Sequence, residues 1–221
     1  LGGVALASNR QVAEQSDLLV LAVKPNVQSE VIREIRETAL LAKELCVVSI
    51  AAGRTTDQII SDFGAAIPLV RVMPNVNAQI GQSMSALCPV GTTDEQLAAA
   101  RKLLDSVGQT IVLDEKYFPV FTAIASSSPA WIFRMIDAMA EAGVNHGLTK
   151  ADSTRIVAQA FAGSAQLLLG GLDNGQVPAN FIDRVSSPGG TTIAGLLAAQ
   201  EAGLSSAIVA AVDAAVERDH H

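Results

Sequence analysis

Ser186-Ser187-Pro188-Gly189-Gly190-Thr191-Thr192 is the segment with the clearest chemical content. Two consecutive glycines free the backbone to approach a ligand. The helix that follows offers unpaired N–H groups and the positive end of its dipole. Ser187, Thr191 and Thr192 add hydroxyl donors, so the segment makes a small anion site for a carboxylate or phosphate without Lys or Arg. An ordinary glycine-rich helix start fits the same residues equally well. Ala125-Ser126-Ser127-Ser128-Pro129 is a second small-residue segment, best read as a hydroxyl-capped helix start.

Other chemistry finds little support. The one internal histidine, His146, reads as a surface or capping residue, which leaves no Ser–His–Asp arrangement. The three histidines have no metal-ligand spacing, and His220 and His221 read as an expression tag. Asp114-Glu115 reads as a solvated turn. Cys46 and Cys88 lack Cys or His neighbours and read as buried, reduced thiols.

The elements that must position such a site change character along the chain. Leu18–Val23 and Cys46–Ile50 are continuous apolar runs, the pattern of parallel strands buried on both faces. Leu69–Met73 reads as a third strand, Ser83–Pro89 as a fourth and Gln109–Leu113 as a fifth. Helical spacing occupies Asn26–Leu45 and Thr56–Phe63, and Thr92 with Glu95 reads as a capping box for the helix before Gly108. Alternation of this kind predicts a doubly wound, mostly parallel α/β sheet with ligands beyond the strands' carboxyl ends. Three such ends carry special residues: Lys24-Pro25, Ala51-Ala52-Gly53 and Met73-Pro74-Asn75. Each alone reads as a strand terminator, whereas three in succession point to a ligand-lined crevice.

After about residue 115 the periodicity is helical throughout. Pro129 suits the first turn of a helix to about Asn145, and Thr149 caps Lys150 to about Leu169, closed by Gly170-Gly171. A loop through Asp173-Asn174-Gly175 leads to a short helix from Pro178 to Val185. Ala-rich stretches such as Ala207–Ala215 suit close helix packing or a subunit interface, or simply good helix formation.

Composition narrows the classes. With 49% hydrophobic, 17% charged and 4% aromatic residues, the 221-residue chain can fill a core from aliphatic side chains. Its 22 acidic against 15 basic residues, a net charge of -7, argue against a nucleic-acid mode that needs clustered Lys and Arg. No apolar run approaches the roughly 18–20 residues that a membrane span requires.

Leu21-Ala22-Val23-Lys24-Pro25, Ser49-Ile50-Ala51-Ala52-Gly53, Arg71-Val72-Met73-Pro74-Asn75, Ser127-Ser128-Pro129-Ala130 and Ser187-Pro188-Gly189-Gly190-Thr191-Thr192 occur in one order. In that order the chain resembles the pyrroline-5-carboxylate reductases over essentially its whole length. The resemblance implies a Rossmann-like dinucleotide-binding domain at 1–115, partial, and a helical substrate and dimerisation domain at 116–221. It implies hydride transfer from NADPH or NADH to 1-pyrroline-5-carboxylate, giving L-proline, in a cytoplasmic homodimer or larger homo-oligomer.

Carried over by residue, the resemblance places Asn9 near the adenosine ribose. Ala22, Val23, Lys24 and Pro25 fall on the diphosphate–ribose side, and Ala51, Ala52, Met73, Pro74 and Asn75 beside the nicotinamide. It places Ser187, Gly189, Gly190 and Thr191 on the substrate carboxylate, Thr192 on the ring nitrogen as the catalytic hydroxyl, and Glu115 loosely near the substrate. Dinucleotide-binding folds open with a strand and a G-x-G-x-x-G turn. Leu1-Gly2-Gly3 joins directly to residues that match the family only after that piece, so a truncated front is expected. Two rivals are a 3-hydroxyacid-type dehydrogenase and a cofactor-binding regulatory protein without turnover. The first needs a lysine that Pro129–Asn145 lacks; the second is opposed by the retained Ser187–Thr192 loop.

Overall fold

The structure, a computed structural model, describes residues 2–42 and 44–219, so Leu1, His220 and His221 lie outside the described residues. It divides into two compact units. One reaches to Ser126 and takes in the chain from Ala215; the other is Ser127–Ala214.

In the first unit, β1 (Leu18–Leu21), β2 (Cys46–Ser49), β3 (Leu69–Met73), β4 (Ser83–Val90) and β5 (Gly108–Val112) form one sheet in sequential order. β1, β2 and β3 are parallel, β4 runs antiparallel to β3, and β5 is parallel to β4. The strands read as continuous apolar runs because both faces are covered. Leu19, Leu21, Val47 and Leu69 pack on Ala13 of α1 (Asn9–Glu14), Ile32 and Ile35 of α2 (Pro25–Leu41), and Ile59 and Phe63 of α3 (Thr56–Phe63). The alternate residues Cys46, Val48, Val70 and Val72 pack on Ala100 and Leu104 of α4 (Asp94–Asp105). β1 departs from the expected pattern. It lies at the edge of the described sheet, Val20 is 38% exposed, and the strand stops at Leu21.

Local signals were displaced in two further places. The capping box of α4 is Thr93 with Gln96, one residue beyond Thr92 and Glu95. Thr93 Oγ1 accepts from Gln96 N–H at 3.2 Å, and Gln96 Oε1 accepts from Thr93 N–H at 3.0 Å. An amide side chain returns this bond as well as a carboxylate does. The serine run does not cap a helix either. The chain is already helical in α5 (Phe118–Phe121), then in a π-helical turn (Thr122–Ser127) that feeds α6 (Ser128–Asn145).

The second unit contains α6, α7 (Lys150–Leu172), α8 (Pro178–Val185) and α9 (Thr191–Glu201), with α10 (Leu204–Asp219) closing the described chain. Gly170-Gly171 does not end α7, which continues to Leu172. Gly171 serves a close approach instead, since a Cβ there would lie 2.5 Å from Phe181 Cζ. Among the described residues no single helix is long and apolar enough to cross a membrane.

Candidate functional site

The carboxyl ends of β1, β2 and β3 share one edge because the strands are parallel. Ala22 and Val23 follow β1, Lys24 is the N-cap of α2 and Pro25 its first residue. Lys24 lends no side-chain cap, but Pro25 has no N–H and Val27 N–H donates to the Lys24 carbonyl at 3.0 Å, so little of the first turn's amide capacity stays free. β2 ends in buried Ala51, exposed Ala52, and Gly53 at φ 71 with open space where a side chain would stand. Asn9 opens α1, with Nδ2 donating to Glu34 Oε2 at 2.8 Å. A small cavity of about 80 Å³ brings Asn9 together with Ala22 and Val23.

The end of β3 is tied from two sides. Asn75 Nδ2 donates to the Ala125 carbonyl at 3.0 Å, while Asn75 Oδ1 accepts from Asn77 N–H at 3.1 Å. Asn75 N–H donates to Ser83 Oγ at 3.3 Å, and Ser83 Oγ lies 3.2 Å from Ser85 Oγ; both serines are buried in β4. Ser126 Oγ donates to the Pro74 carbonyl at 3.0 Å. Ser83, Ser85 and Ser126 were not visible as partners in the sequence, because what marks them is a contact across the sheet or 52 residues away.

Glu115 is not part of a solvated turn. Its Oε1 accepts from Thr56 N–H and from Arg71 Nη1, both at 2.7 Å, and its Oε2 accepts from Thr56 Oγ1 at 2.8 Å. Arg71 is buried in the middle of β3, with its guanidinium 4.3 Å from the centre of the Phe118 ring. Burial raises the pKa of Glu115, but the bonds from Arg71 and Thr56 together outweigh it and hold the carboxyl below its ordinary range. A cleft of about 440 Å³ runs past Gly53, Thr55, Arg71, Glu115 and Lys116. Asp114, by contrast, is exposed.

In the second unit, Ser186–Thr192 forms the turn into α9. Gly189 has φ 67, a left-handed conformation that glycine adopts without cost. Gly190 is the N-cap and provides no side-chain bond, so the first amides of α9 point out of the helix unpaired. A Cβ at Gly190 would lie 2.4 Å from Ser187 Oγ. Ser186 Oγ is buried without a partner, whereas Thr191 and Thr192 are exposed at the helix start. Gly190 N–H donates to the Ser187 carbonyl at 3.0 Å, which closes the turn and leaves the hydroxyls and the first α9 amides as its donors.

The strand ends also suit a dinucleotide. Small residues at Ala51–Gly53 leave a ledge without protruding side chains, and α2 starts just after the carboxyl end of β1, where its dipole favours negative charge. A mostly parallel sheet of this kind, followed in the chain by an all-helical unit, defines a Rossmann-like α/β protein with a helical C-terminal part. A family model described as pyrroline-5-carboxylate reductase dimerisation matches residues 115–221. The pyrroline-5-carboxylate reductase of Escherichia coli is 35% identical over 215 residues, which cover 97% of this chain and 78% of that protein. The solved pyrroline-5-carboxylate reductase of Coxiella burnetii is 30% identical with a TM-score of 0.90, covering 97% of this chain and 79% of that one. That of Plasmodium falciparum, solved with NADP bound, is 26% identical with a TM-score of 0.83 over 97% and 80%. The chain belongs to the pyrroline-5-carboxylate reductase family.

Proposed function

We propose that this protein reduces 1-pyrroline-5-carboxylate to L-proline with NADPH or NADH. The observation that carries the reading is the Ser186–Thr192 loop: a helix start without a side-chain cap, a left-handed Gly189 and the unpartnered Ser186 Oγ form an anion cradle in a chain of this family. Residues 1–115 serve as the partial dinucleotide-binding domain and 116–221 as the helical substrate and dimerisation domain.

Ser187, Gly189, Gly190 and Thr191 hold the substrate carboxylate through N–H and hydroxyl donors. Thr192 donates to or accepts from the ring nitrogen. A threonine hydroxyl is a poor acid, so it acts by fixing the imine's orientation. Asn9, Ala22, Val23, Lys24 and Pro25 hold the adenosine and diphosphate side of the cofactor. Ala51, Ala52, Met73, Pro74 and Asn75 form the wall beside the nicotinamide. When bound, the reduced nicotinamide supplies the hydride. The protonated imine carbon is electrophilic without further activation, so the protein's task is to bring reacting atoms to about 3–3.5 Å and exclude alternatives. Glu115 contributes near the substrate by holding Thr56 and Arg71 in place.

The protein works as a homodimer or larger homo-oligomer. Ile156, Leu167, Leu169, Val185, Leu197 and Val209 are more than half exposed in a single chain, an apolar surface that a partner copy would cover. It acts in the cytoplasm, where the free, buried Cys46 and Cys88 stay reduced. The test is NADPH absorbance in the full-length protein on addition of pyrroline-5-carboxylate. Substrate-dependent oxidation with stoichiometric proline is expected, and its absence overturns the reading.

A further inference from the structure

Pro129 follows Ala125 by four positions, so it occupies the place whose N–H would close the helical bond to the Ala125 carbonyl. Proline has no N–H to give. The chain answers with a π-helical turn over Thr122–Ser127, a feature that often marks functional segments. The Ala125 carbonyl accepts from Asn75 Nδ2, at 3.0 Å. One residue on, Ser126 Oγ reaches the Pro74 carbonyl. Asn75 meanwhile uses its other amide atom for Asn77 N–H and its own N–H for Ser83 Oγ. Both ends of the Asn75 amide are therefore engaged within the protein, and little remains of that side chain for a ligand.

We infer that Asn75 is a positioning residue and that Pro129 acts through it: the proline keeps the Ala125 carbonyl available, and Asn75, by capping it, holds the Met73–Asn75 turn in the pose that hydride transfer needs. This rests on the proposed reductase activity, in which that turn forms the wall beside the nicotinamide. Asn75 then differs from its neighbours in kind. The backbone of the turn faces the cofactor, and the side chain faces the protein.

The test compares Asn75→Ala, Pro129→Ala and the double variant in the full-length protein. Pro129→Ala returns an N–H four residues after Ala125, which competes with Asn75 for the same carbonyl. Each single variant is expected to lower kcat on the order of 10- to 100-fold, the scale of a small misplacement of reacting groups, with KM for the imine nearly unchanged. The double variant should be no slower than the slower single one, because both act on one bond. Hydrogen exchange of amides 73–80 should quicken in both singles, while the melting temperature of Pro129→Ala stays at or above that of wild type. Additive losses overturn the inference, as do wild-type kcat and wild-type exchange in either single variant. Wild-type turnover, measured alongside, separates the two claims. If the wild type shows none, the reductase reading fails, and exchange at 73–80 alone decides the positioning claim.

Discussion

Two regions of this molecule gather polar side chains and treat them in opposite ways. At the end of β3, Asn75, Ser83, Ser85 and Ser126 spend their hydrogen bonds on one another and on the backbone. In the turn into α9, Ser186 Oγ is buried without a partner and the helix start is uncapped. Polar groups satisfied internally fix a shape, whereas donors left unsatisfied wait for a ligand. On the proposed function the first region is a wall and the second is a mouth. Glu115 belongs with the wall, since three donors from Thr56 and Arg71 already occupy its oxygens.

Substitutions in the two regions should therefore separate catalysis from stability. The largest effect belongs to the mouth. Thr192→Ala should lower kcat/KM on the order of 100-fold while a fluorescence titration finds NADPH binding unchanged. Near-wild-type turnover would remove Thr192 from the account. Next comes the wall. Arg71→Leu leaves Glu115 without its cation and should cost about 2 kcal/mol in chemical denaturation, less than a fully buried pair because Glu115 is partly exposed. A smaller effect returns to the mouth. Gly190→Ala forces a Cβ against Ser187 Oγ and should raise the imine KM about tenfold, with little change in melting temperature.

The smallest effect is a pH slope. Glu115 is held below its ordinary pKa in the folded chain, so its contribution is complete above the unfolded value near 4.5. It is lost as pH falls through the lower folded value. Stability of the wild type should drop with acid in that window, and Glu115→Gln should flatten the slope. An equal slope in both proteins would detach Glu115 from the wall.

The sequence made the covered strands readable, because β2 and β3 pack on both faces and admit few polar residues. It made the α9 turn readable because two glycines and four hydroxyls lie within seven residues. The wall was hidden for a different reason. Asn75 and Ala125 are 50 positions apart, and Glu115 and Thr56 are 59 apart, so neither pair leaves a local pattern. Arg71 was hidden inside an apolar strand, where nothing local signals a carboxylate on the far side. Pro129 was read as a helix start because proline favours a first turn. α6 does start there, at Ser128 with Pro129 in its first turn, but the chain reaches it already helical from Phe118 through the π-helical turn, which no local signal announced.

The central claim is that the protein passes a hydride from the reduced nicotinamide to the imine carbon. NADPH deuterated at both C4 positions, supplied with pyrroline-5-carboxylate to the full-length protein, tests it directly by mass spectrometry. The account predicts L-proline one mass unit heavier, with the deuterium at C5. Proline of unshifted mass, or none at all, would contradict it.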